Sequence, residues 1–215
     1  MEKMAELERR SYLCEVRAEN TDGTAIITGR PIVYDSRTDL GYFDEVIERG
    51  ALDNTDLTDV RFLVNHDTSK IPLARSRRNN GNSTMTLRTD EQGLSVKVRL
   101  DTENNTEARA LYSAVRRGDI TGMSFMFSVP KGGDTWEGLD TDHAFRRIRN
   151  ISSVVEVSAV TFPAYESTEI YARNKEALEK AKLALENARR SANPPEGEDL
   201  ELLKAKFAFL MQEGG

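Results

Sequence analysis

The chain has 215 residues, 31% of them charged and 7% aromatic: long enough for one sizeable core and too apolar to be disordered throughout. Its net charge of −6 argues against a general nucleic-acid binder, which needs a basic face, although Arg75, Arg77 and Arg78 form a local basic patch. Cys14 is the one cysteine, so no intrachain disulfide or cysteine-rich zinc site can form, and His66 and His143 are too few for a rich metal site. Met1 to Arg10 is charged and lacks the apolar core of a signal peptide. No apolar run reaches the roughly 18 residues that a membrane span requires, so the sequence reads as soluble and intracellular.

In chain order, Arg10 to Glu19 alternates as a strand and Thr21-Asp22-Gly23 is a turn. Ala25 to Tyr34 predicts a second strand, with a bulge or edge marked by Gly29 and Pro31. Leu40 to Leu52 mixes aromatics with carboxylates and predicts a short helix or ordered loop. Val60 to Asp67 is a third strand that puts Phe62, Val64 and His66 on one face, and Pro72 limits Ile71 to Arg75 to an edge or turn. The clearest hairpin joins Thr84–Arg88 to Leu94–Leu100. Asn105 to Arg117 is an amphipathic helix with Thr106 as N-cap and Gly118 as its stop.

Ile120 to Val129 follows, a buried strand bracketed at its start by Gly118 and Gly122. Alternation sets Met123, Phe125, Phe127 and Val129 on one face and Ser124, Met126 and Ser128 on the other. Lys131 to Asp142 reads as a mobile loop, and Ala144 to Val160 holds at least one long strand that Phe162-Pro163-Ala164 ends. About nine strand-like segments in residues 10–170 predict a mainly β fold with flanking helices (α+β), closed or nearly closed as an antiparallel β-barrel. This first domain covers residues 1–173. Beyond it lies a helical tail, 174–215: a helix at 174–190 with a stripe of Leu178, Ala181, Leu185 and Ala188, a linker at 191–199, and a short helix at 200–212.

Several residues have the chemistry for a site, each with a plainer alternative. Ser124, a small hydroxyl beside a glycine turn on a rigid strand, suits a nucleophile; otherwise it fills space in a barrel. His66 ends an apolar strand and is a general base or a rim histidine bonded to backbone. Asp67 caps a turn with Thr68 or Ser69. Glu156 sits in an otherwise apolar strand, where a lone carboxylate costs several kcal/mol unless paired. It either faces water or orients a histidine. Ser158 shares its face and is a rival nucleophile. His143 is a surface residue or a third triad member. Arg146, Arg147 and Arg149 line a solvated strand face or, for Arg146 and Arg147, stabilise an oxyanion.

Three segments in this order, FLVNHD with His66, GMSFMFSV with Ser124 and VVEVSAVTFPAY with Glu156, resemble the prohead (capsid maturation) proteases of tailed bacteriophages. These are of the Hong Kong 97 type, distant relatives of the herpesvirus assemblins. GRPIVYDS, FDEVIERGAL and IPLAR fit the same pattern, so the resemblance spans roughly residues 10–172. It implies a serine endopeptidase with a barrel of the herpesvirus-protease type, Ser124 as nucleophile, His66 as general base and then acid, and Glu156 orienting His66. Met126 stands where family members often carry glycine, which narrows the space beside Ser124. No metal or organic cofactor is implied. The implied role is cleavage of the scaffold or delta segment of the major capsid protein, and of the protease itself, inside the immature prohead in the bacterial host cytoplasm. A homodimer or higher oligomer is compatible with it; nucleic acid and membrane are not implied partners. The alternative is a non-enzymatic capsid assembly or scaffolding factor with the same fold.

Overall fold

The structure, a computed structural model, describes residues 7–161 and 175–193. The described strands are β1 (Leu7–Leu13), β2 (Arg17–Thr21), β3 (Thr24–Val33), β4 (Thr38–Asp39), β5 (Phe43–Ile47), β6 (Asp59–Val64), β7 (Ala74–Arg77), β8 (Met85–Asp90), β9 (Gly93–Leu100), β10 (Gly122–Ser128), β11 (Asp134–Glu137), β12 (Ala144–Ile148) and β13 (Ser153–Val160). The described helices are α1 (Thr106–Arg117) and α2 (Lys175–Ala192). Among the described residues, no helix is long and apolar enough to cross a membrane. Phe162-Pro163-Ala164, the boundary at 173, most of the 191–199 linker and the 200–212 helix lie outside the described residues.

The expected closed or nearly closed antiparallel barrel does not form. The strands make three open sheets, ordered β1-β10-β13-β6-β7, β11-β12-β5-β4 and β2-β3-β9-β8. Two pairings are parallel, β13 with β6 and β12 with β5. Closure requires every strand to find a backbone partner on both sides. Near β7 and β8, where two sheets approach, the Asn79 side chain intervenes. Its amide donates to the Leu87 carbonyl at 2.8 Å, and its carbonyl accepts from the Leu87 N–H at 2.9 Å. The outer edge of β8 is thus capped by a carboxamide at the point where a further strand would pair.

The hydrophobic core joins the inner faces of these sheets. Phe125 and Phe127 of β10, Phe62 of β6, Ile27 of β3 and Val98 of β9 are fully buried in it, and α1 adds Leu111 and Val115. The hairpin is tight: Asp90 pairs with Gly93, and Gly93 has φ +134° with its Cα so close to β3 that a Cβ would lie 2.1 Å from the Ile32 carbonyl oxygen. The N-cap of α1 is Asn105, one residue before the expected Thr106: its side chain accepts from the Glu107 and Ala108 N–H groups. It ends at Gly118 with φ 78° as expected.

Three other segments differ from expectation. Arg10 to Glu19 splits into β1 and β2, and the stretch read as a short helix or ordered loop from Leu40 holds β5. The loop after Lys131 contains β11, whereas Ala144 to Val160 holds a long strand as expected, β13, after the shorter β12. In α2, Ala181 and Leu185 are buried against Leu40, Phe43 and Ala144, and Arg189 donates to the carbonyls of Leu139 and Thr141, both at 2.9 Å. The helix therefore packs onto the second sheet.

Candidate active site

The outer face of the five-stranded sheet carries the candidate residues. Antiparallel register sets Ser124 of β10 directly opposite Ser158 of β13, and Met126 opposite Glu156. Cross-strand partners share a face, and neighbouring strands lie about 4.8 Å apart. Ser124, Ser158, Met126 and Glu156 thus form one patch. The other face of β10 holds Phe125 and Phe127 in the core, as the alternation predicts.

His66 joins the patch by a turn. Beyond β6, Asn65 and His66 have φ of 53° and 59°, and the Asp67 N–H donates to the Val64 carbonyl at 3.1 Å. Two consecutive left-handed residues closed by such a bond make a type I′ turn. The predicted sharing of a face by Phe62, Val64 and His66 therefore ends at Val64. The left-handed region costs a non-glycine residue about 1–2 kcal/mol, so such residues need outside support. Asn65 supplies part of it: its N–H donates to the Ala159 carbonyl at 3.0 Å, and its side-chain oxygen accepts from the Thr161 N–H at 2.9 Å. Asp67 caps the next turn on Ser69 as expected, accepting from its N–H at 3.1 Å. The Ser69 hydroxyl bond holds the Asp67 carboxyl below its usual range.

The turn brings the His66 ring over β13. Its Nδ1 lies 2.5 Å from Glu156 Oε2, and both side chains are about 5% exposed. With Glu156 ionised, this contact keeps the ring proton on Nδ1 and leaves Nε2 with its lone pair. Nε2 is buried and has no hydrogen-bond partner among the described residues. Glu156 is therefore neither solvated nor lone. Its second oxygen accepts a short hydrogen bond from the Ser158 hydroxyl. Ser158 Oγ also accepts the His66 N–H at 3.0 Å.

Ser124 is fully buried, and its hydroxyl donates to the Arg10 carbonyl of the neighbouring strand β1 at 2.7 Å. The serine thus stands one strand from the His66–Glu156 pair, with its proton directed the other way.

The remaining candidates lie elsewhere. Arg146, on β12, is buried with its guanidinium enclosed by carboxylates: Nε donates to Asp134 at 2.7 Å, Nη1 to Glu8 at 2.6 Å and Glu45 at 3.0 Å, and Nη2 to Glu8 at 2.8 Å. Arg10 completes this cluster, donating to Glu45 from Nε at 2.6 Å and to Glu8 from Nη2 at 2.7 Å. Burial alone pushes the Glu8 carboxyl up, but Arg10 and Arg146 outweigh it and bring the group down to about 2. Arg147 pairs with Glu137 and Glu48, and Arg149 with Glu48. His143 is exposed and bonds Asp44 at 3.1 Å. All three sit in or beside the second sheet. The ion cluster was not legible beforehand, because its members come from β1, β5, β11 and β12 and no local spacing relates them.

Residues 13–182 match the family model described as Caudovirus prohead serine protease. The prohead protease of Enterobacteria phage HK97 is 34% identical over 113 residues, which cover 53% of this chain and 44% of that protein. The chain thus aligns with less than half the length of that curated relative. The capsid assembly protease gp21 of bacteriophage T4 superposes with a TM-score of 0.44 at 10% identity, over 75% of this chain and 100% of the other.

Proposed function

Because the chain belongs to the Caudovirus prohead serine protease family, we propose that it is a serine endopeptidase of phage capsid maturation, with Ser124 as nucleophile, His66 as base and Glu156 as the group that orients His66. The observation that carries this reading is the buried His66–Glu156 contact at 2.5 Å, with Nε2, which has no partner among the described residues, one strand from Ser124. A buried carboxylate against one imidazole nitrogen, with the other nitrogen open, is the arrangement a general base needs.

The reaction begins with rotation of the Ser124 side chain away from the Arg10 carbonyl towards His66 Nε2. Ser124 Oγ then attacks the scissile carbonyl carbon while its proton passes to Nε2, and Glu156 stabilises the imidazolium. The tetrahedral intermediate collapses as His66 returns that proton to the departing amine. Water, deprotonated by His66, releases the acyl group and restores the serine. Neither Arg146 nor Arg147 has a part in this scheme, since both are occupied by carboxylates of the second sheet.

The substrate of this reading is the scaffold or delta segment of the major capsid protein, cut inside the immature prohead, followed by cleavage of the protease itself. One observation favours the second reading, a non-enzymatic assembly factor: the Ser124 hydroxyl is buried and bonded to a backbone carbonyl. A fluorophosphonate probe with peptide mapping separates the two, applied to wild type, Ser124→Ala and His66→Ala, free and in co-expressed proheads. Labelling of Ser124 that both substitutions abolish supports the protease. A wild type that stays unlabelled in both settings supports the assembly factor.

A further inference from the structure

The Ser158 hydroxyl is fully buried and makes two bonds that converge on the candidate base. It accepts the backbone N–H of His66 at 3.0 Å and donates to Glu156 Oε1. The carboxylate's other oxygen holds His66 Nδ1. One hydroxyl therefore ties the backbone of the histidine to the carboxylate that holds its ring.

Each bond addresses a specific difficulty. The left-handed backbone of His66, φ 59°, is costly for a residue with a Cβ and persists only where its surroundings over-determine it. Asn65 anchors the turn on one side through Ala159 and Thr161; on the His66 side the anchor is Ser158. A buried carboxylate with one oxygen on an imidazole would otherwise be free to pivot about its terminal torsion, which is broad and soft. The Ser158 O–H fixes that rotation and turns Oε2 towards Nδ1. Residues 156 and 158 are two apart on β13, so strand alternation alone puts both side chains on the His66 side of the sheet.

We propose that Ser158 is a positioning residue: it locks the His66 backbone and the Glu156 carboxylate in one geometry, so that Nε2 points where Ser124 Oγ must deliver its proton. This rests on the reading of His66 as base and Glu156 as its orienting group. In this reading Ser158 serves the pair instead of reacting through it: its oxygen accepts the His66 backbone N–H, and its hydroxyl donates to Glu156.

The test compares full-length wild type, Ser158→Ala and Ser158→Thr. Two NMR signals report the clamp without any need for activity: the far-downfield proton of His66 Nδ1–H on its carboxylate, and hydrogen exchange at the His66 amide. Labelling of Ser124 by the fluorophosphonate reports the catalytic consequence. Outer hydrogen-bond partners that fix a functional histidine and its ligands, as known from metal-bound histidines, typically cost about 10–100-fold when removed. In Ser158→Ala the downfield signal is expected to vanish, His66 amide exchange to accelerate at least about tenfold, and labelling to slow by that same 10–100-fold, while the amide signals of β10 and β13 keep their dispersion. Ser158→Thr, which retains the hydroxyl, is expected to restore the downfield signal. If Ser158→Ala does not fold, Ser158→Cys keeps the volume with a far weaker donor and predicts the same three changes. A downfield signal and labelling rate unchanged in Ser158→Ala overturn the proposal, as does a probe adduct on Ser158. A wild type with both NMR signals present but no labelling would refute the protease reading and leave the clamp standing, so the two failures are distinct.

Discussion

Arg146→Met would expose the energetics of the buried ion cluster. Arg146 neutralises Glu8, Glu45 and Asp134 together with Arg10, and methionine fills much of its volume without charge. Removing one member of a buried ionic group leaves uncompensated charge and costs roughly 3–5 kcal/mol. The pH dependence identifies the source. Burial raises the Glu8 carboxyl, but the two arginines lower it from 4.5 to about 2. A carboxyl depressed on folding contributes stability above its unfolded value and loses it as pH falls towards the folded one. For Glu8 that contribution is about 3 kcal/mol at pH 7, and a good part of it is gone by pH 3.5, between its ordinary and its depressed value. The variant keeps Arg10 but has lost one of the two arginines that hold Glu8 down, so its stability falls less in this window. Urea unfolding of both proteins at pH 7 and pH 3.5 should show a gap that narrows on acidification. Other depressed carboxyls, such as Asp90 at about 2 beside Arg30, are common to both proteins and cancel. A gap of the same size at both pH values would refute the reasoning.

Other consequences are equally direct. Glu156→Gln should leave the fold intact and slow labelling of Ser124 by roughly 10³–10⁴-fold, the scale set by loss of the orienting carboxylate in a serine triad; a rate within tenfold of wild type would remove Glu156 from the mechanism. Gly93→Ala would place a Cβ 2.1 Å from the Ile32 carbonyl oxygen at φ +134°, so thermal unfolding should report a loss on the order of 3 kcal/mol or more. Leu185→Ala should weaken the docking of α2 on Phe43 and Leu40 by about 2–3 kcal/mol, seen as faster hydrogen exchange along α2 with the β8–β9 hairpin unchanged.

What could be read from the sequence was local. The hairpin at Met85–Leu100, α1 with its Gly118 stop, and the alternation of β10 all arise from residues close in the chain. The pairing of His66 with Glu156 was legible for a different reason: a carboxylate in an apolar strand demands a partner, and few were on offer. The errors share a cause as well. Glu45 made β5 look unlike a strand, because the arginines that neutralise it, Arg10 and Arg146, lie 35 and 101 residues away. The expected antiparallel barrel gave way to open sheets that contain two parallel pairings and an Asn79 cap on the β8 edge, none of which has a local signature. The acceptor of the Ser124 proton is a main-chain carbonyl, a group that every residue carries.

The span of these contacts also determines when a site can exist. Ser124 meets Arg10 across 114 residues of chain, and His66 meets Glu156 across 90. Sheets built from partners so distant in sequence order slowly, because loops must close before pairing stabilises them. Strand β1 waits for β10, and β6 has no parallel neighbour until β13 has been made. On the proposed triad, a growing chain that already contains His66 and Ser124 therefore still lacks the arrangement that would join them. Synthesis itself would separate the appearance of these groups from the appearance of any reactivity.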